Sequence, residues 1–394
     1  MTRRKCCVRI TEYFASGTDM PGEALDLHID AGFLALLASH NLAVAATVGP
    51  DGLIVIGRDR VGRPAIEHRV IHNAFALAVS GSRLAVSHKY GITVYNDCRA
   101  LAAEHPTAPG RYDAYYAPLV TFHTGDCLVH DMVATRKGLV VANTRFSTVD
   151  LIDGRYNANP IWRPPFISVP MPEDRCHLNG LALDGETLKY VTAFGPFDTA
   201  GGWRSHPQFH GVLIDAVTGR CIAEKLSVPH SPRIIDGHLY VCESGHGTLL
   251  RVDPSTGQRT VVCELPGLPR GLAAHAGIAF IGLSSQRHSS SLPTLPILAR
   301  HATPIAGIAA VDLATGNLLG MARIQNPGRE ILDVKLIPNC MLPGVGERND
   351  HHEFHLTESP AGAYWLKSAS RPKTVPVAAP AAQANSNDSS TEQA

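Results

Sequence analysis

LLRVDPSTGQRTVVCEL, residues 249 to 265, decides the fold. Apolar side chains run up to Val252, an Asp-Pro-Ser-Thr-Gly turn follows, and a second run rich in β-branched residues leads away, the pattern of a hairpin and not of a helix. The same turn returns as DAVTG at 215–219, between GVLI and RCIAEKL, and as DLATG at 312–316, between GIAAV and NLLGMARI. A second kind of hairpin, two apolar strands around a glycine turn, precedes each of these: LALDGETLKYVTAF (181–194), RIIDGHLYVCES (233–244) and LAAHAGIAFIGLS (272–284). Two further copies are FALAVSGSRLAVSH (75–88) and MVATRKGLVVANT (132–144).

Two hairpins per unit make four antiparallel strands, the content of a propeller blade, and repeats of about 40 to 50 residues are where propellers are sought. Unit starts fall unevenly near Asn41, Asn73, His130, Asn179, Ser231, Arg270 and Glu330. The expected fold is therefore all-β, a β-propeller of seven four-stranded blades, with six blades and an irregular N-terminal segment as the alternative. No segment beyond the N-terminal one sustains helical periodicity, and 35 Gly and 28 Pro punctuate the chain. Residues 1–39 form an N-terminal segment in which Leu27, Ile29, Phe33, Leu36 and Leu37 fit a short helix; residues 40–366 form the propeller. Residues 367–394, without an aromatic side chain, are expected to be a disordered tail.

Composition narrows the function. Lys and Arg number 35 against 35 Asp and Glu, so the basic excess that displaces counterions from phosphate is missing and nucleic acid is not an expected partner. The most apolar window, residues 31–48, carries His40 and Asn41 at its centre, which argues against a membrane span. The nine cysteines show no C-x-x-C pair and read as free thiols; with no signal peptide visible, a cytoplasmic protein is expected. Neither a G-x-S-x-G elbow, nor a P-loop, nor a dinucleotide fingerprint is present, so no nucleotide cofactor is expected.

In a propeller the residues that precede each innermost strand converge at one mouth of the channel. Those positions hold His130 and Asp131, His177 and Asn179, His230, Ser231 and Arg233, Arg270, and Glu330 and Asp333. Three histidines from separate strands with a carboxylate suit one divalent metal (Zn, Fe, Mn or Ca), so His130, His177 and His230 are the expected ligands, with Glu330 and Asp131 as catalytic carboxylates. Arg233, Arg270, Asn179, Arg175 and Ser231 would bind a small polar or anionic molecule, the arginines gripping it through their planar forks. The competing reading has each histidine bonded to backbone, the arginines bridging carbonyls, and Glu173, Asp174 and Arg175 forming a local ion pair. Loops at 195–211 (with Asp198, Trp203, Arg204 and His206) and 284–297 (with Arg287 and His288) are rim candidates. IWRPPFI, 161–167, reads as packing, and HHEFH, 351–355, lacks H-E-x-x-H spacing and reads as surface.

The ordered series YDAYYAPLVTFHTGDCLVHDMV, ANTRFSTVD, WRPPFI, EDRCHLNGLAL, VTAFG, GGWR, PHSPR, ESGHGTL, LPGLPRGLA, FIGLSSQR and EILDV resembles the motifs of a bacterial family of conserved hypothetical proteins, a domain of unknown function. The resemblance covers roughly residues 40 to 340 and implies a soluble, propeller-like all-β protein, with no activity attached. The matching residues are His130, Asp131, Asn143, Arg163, Glu173, Asp174, Arg175, His177, Asn179, His230, Arg233, Arg270 and Glu330. Thr148 stands where that family commonly has Cys, and Ile234 where it has Trp, so a catalytic thiol at 148 is excluded. Two functions stay open: a metal-dependent hydrolase or oxidase acting on a small anion, and a non-catalytic scaffold for a ligand or an unknown protein partner.

Overall fold

The computed structural model describes residues 6–9, 25–205, 209–286, 295–346 and 354–367. The tail at 368–394, residues 351–353 of the HHEFH run, and His206, Arg287 and His288 lie outside the described residues.

The fold is all-β, built from antiparallel four-stranded sheets. Sheet I pairs Glu330–Pro338, Leu42–Gly49, Gly52–Arg58 and Pro64–Arg69 in that order. Sheet II runs Leu77–Ser80, Arg83–His88, Gly91–Asp97 and Ala114–His123, with Pro343–Val345 added in parallel at its edge. Sheet III runs Val129–Thr135, Gly138–Asn143, Thr148–Ile152 and Pro160–Trp162; sheet IV runs Leu178–Asp184, Thr187–Ala193, Gly211–Asp215 and Cys221–Leu226. Sheet V holds Pro229–Ile235, His238–Glu243, Thr248–Val252 and Arg259–Glu264. Sheet VI holds Leu268–His275, Ile278–Ser284, Ala306–Asp312 and Leu318–Ile324, extended by Asp26–Ile29 and Cys6–Arg9.

The first strands of these six units touch one another in a closed cycle, from I to II and on through VI back to I. Two of the seven expected unit starts, near Asn41 and Glu330, fall in one sheet, because Glu330–Pro338 pairs along Leu42–Gly49 and brings the chain from sheet VI back to sheet I. A single bridge, Ser284 to Glu330, also links sheets VI and I.

The recurring turn does what its residues dictate. Asp215 accepts hydrogen bonds from the Val217 and Thr218 amides, both at 2.9 Å; Asp312 accepts from Ala314 and Thr315 at 2.9 and 2.8 Å; Asp253 accepts from Ser255 at 2.8 Å. The glycine that closes each turn, at 219, 257 and 316, sits at φ 74, 76 and 73, where a side chain would be strained.

Inner strands are apolar almost throughout, as in the buried Leu42–Gly49, whereas the outermost Arg259–Glu264 is mostly exposed. Each inner sheet is covered on both faces by its neighbours: Val140, Ala142 and Val149 of sheet III pack with Leu181, Val191 and Ile214 of sheet IV. The helix Ala31–Ser39 lies over sheet VI and buries Phe33, which meets Phe280 edge-on at 5.9 Å, and Leu37. Burying such side chains stabilises by about 1.5–3 kcal/mol each. Among the described residues no helix is long and apolar enough to cross a membrane.

Candidate functional site

Just before the first strands of sheets III, IV and V the chain turns through a left-handed residue: Leu128 at φ 50, His177 at φ 51 and Val228 at φ 55. For a β-branched valine this is a rare conformation. The kink brings each chain into its strand in the same phase, so that His130, Asn179 and His230 occupy equivalent places. Arg270 follows Pro269 in sheet VI as Asn179 follows Leu178 in sheet IV: the carbonyls of Leu178 and Pro269 each accept a hydroxyl from the preceding sheet, Thr144 and Ser244. His177 belongs to the entering loop, two residues ahead of that phase.

The hydrogen bonds fix the imidazole tautomers. His130 Nδ1 lies 2.9 Å from the Leu128 carbonyl and 2.7 Å from Thr144 Oγ1, whose own proton goes to the Leu178 carbonyl. Both neighbours can only accept, so Nδ1 carries the proton. His230 repeats the device with the Val228 carbonyl at 3.1 Å and Ser244 Oγ at 2.9 Å, the serine donating to Pro269 O at 2.6 Å. His177 Nδ1 faces the Asp174 carboxylate at 3.1 and 3.2 Å and is likewise the donor. Among the described residues no hydrogen bond reaches Nε2 of any of the three, so the neutral rings present three bare Nε2 lone pairs.

They stay neutral because burial lowers all three pKa values. His130 is lowered well below the usual histidine value by desolvation, then by His177 and Arg270; His230 is also lowered well below it by desolvation, then by Arg270 and His177. Desolvation also lowers His177, while the hydrogen bond and charge of Asp174 pull it back up. One guanidinium, Arg270, thus stands near all three rings, and it lies over Phe75 at 4.6 Å. Phe75 in turn stacks at 4.3 Å from His130, whose ring meets His177 edge to face at 4.7 Å. Asn179 is 2% exposed; its Oδ1 accepts from Thr192 Oγ1 at 2.8 Å, and its Nδ2 has no partner.

His177 packs in a three-ring cluster with Phe194 at 4.4 Å and Trp203 at 4.2 Å, which meet each other edge to face at 5.3 Å. Its partner Asp174, itself left-handed at φ 47, also receives Trp203 Nε1 at 2.9 Å and the Arg204 guanidinium at 3.1 Å. Arg175 pairs with Glu173 at 2.8 Å and with Asp198 at 2.7 Å, tying the EDRCH loop to the 195–211 loop. It holds the rim.

Asp131, Arg233 and Ser231 are engaged within the protein. Arg233 grips Asp131 through two bonds, 2.7 and 2.9 Å, and donates to the carbonyls of Leu181 at 3.0 Å and Leu272 at 3.0 Å. Burial works against its charge, but the Asp131 carboxylate outweighs that and raises its pKa. Ser231 Oγ accepts from the Gly271 amide at 3.0 Å, as Asp131 accepts from Leu181 N at 3.1 Å and Asp333 from Leu77 N at 2.8 Å. At the far ends of the same strands a cavity of about 380 Å³ is lined by Arg233, Asp236, Leu272 and Lys335. Glu330 opens the closing strand, in register with Gly49 and Ser284.

The three-histidine metal centre is not supported. Among the described residues no three His, Cys, Asp or Glu side chains are disposed to hold a metal ion. The charge of Arg270 acts on all three rings and works against a second cation there, and among the described residues no ring contact joins His230 to His130 or His177. Thiol chemistry lacks support as well: burial pushes the pKa of Cys176 up to about 12 and that of Cys127 up to about 11, far from the thiolate range. Sequence reasoning passed over Phe75, Phe194, Thr144 and Ser244. The two hydroxyls could have been found, since ANT at 142–144 and CES at 242–244 end equivalent strands.

Among solved structures, the chain is similar to one in the crystal structure of a nidogen/laminin complex, at 12% identity and a TM-score of 0.46, over 76% of this chain and 98% of that one. It is also similar to the computationally designed Ika8 protein, at 14% identity and a TM-score of 0.31, over 72% of this chain and 67% of that one. No curated protein matches it. A family model does, over residues 31–345, and the chain belongs to that family, described as Domain of unknown function (DUF4915).

Proposed function

We propose that the chain is a six-bladed β-propeller that binds a small anion bearing hydroxyl groups at one mouth of its channel, between Arg270 and the histidines His130, His177 and His230. The closed cycle of six first strands, and the strand Glu330–Pro338 that pairs with Leu42–Gly49 to complete sheet I, support the architecture.

One observation carries the ligand: three neutral imidazoles have their Nδ1 protons engaged and, among the described residues, no hydrogen bond on Nε2, and all three feel the charge of one guanidinium, Arg270. The guanidinium selects a carboxylate or comparable anion. The lone pairs select donors on the same molecule, because an anion without O–H or N–H groups would set its own oxygens against them. Asn179 Nδ2, buried and without a partner, adds one donor to the ligand's acceptors. A hydroxy acid or acidic sugar satisfies this set, and a bare divalent cation does not.

Calorimetric titration of D-gluconate, acetate, sulfate and mannitol into the protein tests it. Gluconate is expected to bind, and the other three to bind at least tenfold more weakly. Arg270→Gln should weaken gluconate by roughly 10- to 100-fold, the worth of a charged hydrogen bond. Sulfate and acetate binding as well as gluconate, or gluconate binding unchanged in Arg270→Gln, would defeat the reading.

A further inference from the structure

Of the three imidazoles, one differs in kind. His130 and His230 give their Nδ1 protons to neutral oxygens, the Leu128 and Val228 carbonyls and the Thr144 and Ser244 hydroxyls. His177 gives its proton to a carboxylate, Asp174, which is 3% exposed and held in place by Trp203 Nε1 and Arg204. A carboxylate on Nδ1 fixes the tautomer and stabilises the imidazolium that forms when Nε2 takes up a proton. All three rings can accept a ligand's hydrogen bond; His177 alone has a carboxylate behind it.

We propose that His177 and Asp174 form a general-base dyad that hydrolyses an ester bond, open-chain or cyclic, of a hydroxylated carboxylic acid. The inference rests on the ligand reading above and adds a reaction to it, since the hydroxy acid bound there is the product of that hydrolysis.

The step balances without a co-reactant other than water. Nε2 of His177 removes a proton from a water molecule as the water oxygen bonds to the ester carbonyl carbon and the carbonyl electron pair moves onto its oxygen. Arg270 faces that oxyanion, which occupies the place of the product carboxylate. The C–O bond to the alcohol then breaks, and the imidazolium returns its proton to the leaving oxygen. Phe194 and Trp203 pack against His177 and hold its orientation. Asp174 is a positioning residue, acting through His177, and both residues hold left-handed backbone of the kind found where a site is held under constraint.

The test measures acid release from D-glucono-1,5-lactone and ethyl L-lactate in a pH-stat against the uncatalysed rate, with D-gluconate affinity measured beside it. The wild type should turn over at least one of the two esters. His177→Gln, which keeps an acceptor, should lower kcat by about 10²- to 10⁴-fold, the worth of a general base, a loss much larger than any accompanying weakening of gluconate binding. Asp174→Asn should lower kcat with KM little changed, and imidazole in the buffer should restore part of the turnover of His177→Gly. Gluconate binding without turnover of either ester, or full turnover by His177→Gln, would overturn the dyad while leaving the ligand reading in place. Turnover without gluconate binding would overturn the ligand reading instead.

Discussion

Asp131 and Arg233, 102 positions apart, join sheets III and V across sheet IV. The same guanidinium reaches carbonyls of sheets IV and VI and stands 3.9 Å from Asp333 of sheet I, which Lys335 also holds at 2.7 Å. Five of the six sheets therefore meet at one side chain. Its charges lie below the histidines and above the 380 Å³ cavity at the strand ends, so the pair closes the middle of the cycle.

Removing one member of this pair leaves a buried charge unmatched, which costs about 3–5 kcal/mol, whereas apolar replacement of both can be neutral. Arg233→Met is expected to lower stability in urea by that amount. Asp131→Leu with Arg233→Met should recover most of it, with the double-mutant cycle showing coupling well beyond 1 kcal/mol. Near-additive single losses would mean that the pair is not the hub described.

Stability should fall in mild acid. His130 and His230 are held well below the unfolded histidine value, so as pH drops below about 6.5 the unfolded chain takes up protons that the folded rings refuse. Their contribution is complete above that pH and is lost downward toward the folded values. The groups that face them are His177 and the cation Arg270, with His230 also acting on His130, and all of them lower the values further. Urea midpoints between pH 7.5 and 5 should decline, and the decline should be shallower in His230→Asn. A midpoint that is flat or rises would contradict buried neutral histidines.

What the sequence made legible was local or repeated. DAVTG, DPSTG and DLATG announce their turns because Asp, Thr and Gly each satisfy a neighbouring backbone group. The convergence of His130 with His230 follows from the repeat. The roles of Asp131 and Arg233 did not show, because a carboxylate and a guanidinium look alike in sequence whether they face a ligand or each other 102 positions away. Nor did the difference between His177 and the other two: His177 enters from the loop, and its carboxylate sits three positions back within a crowded EDRCH. Seven unit starts against six sheets has a similar cause, since nothing local in REILDVKL says that it will pair with Leu42–Gly49.

The hydroxyl relay between sheets offers a sharper test of the tautomers. Thr144 takes the His130 proton and passes its own to Leu178 O in sheet IV. Thr144→Val keeps the shape, takes the hydroxyl donor from the Leu178 carbonyl and leaves His130 Nδ1 with the Leu128 carbonyl alone, and should cost about 1–3 kcal/mol, the desolvation of an unsatisfied buried polar atom. Thr144→Ser should cost well under half as much. Nitrogen NMR of the imidazoles should show His130 protonated at Nδ1 in the wild type; an Nε2 proton there would undo the acceptor set on which the ligand reading depends.

Two glycines with one backbone conformation separate strain from crowding. Gly277 closes a hairpin turn at φ 75 with open space around a notional Cβ, while Gly271, also at φ 75, would place that carbon 2.7 Å from Val334 N and 2.8 Å from Asp333. Gly277→Ala should therefore show only the left-handed penalty of about 1–2 kcal/mol. Gly271→Ala should show the same penalty plus an overpacking cost of about 1–3 kcal/mol, since the carbon pushes sheet VI away from sheet I beside the Asp333 end of the hub. The shift would also move Arg270, the adjacent residue, so gluconate affinity should drop in Gly271→Ala and hold in Gly277→Ala. Equal losses of stability and no change in affinity would mean that the first strands of sheets VI and I are not packed as closely as the cycle requires.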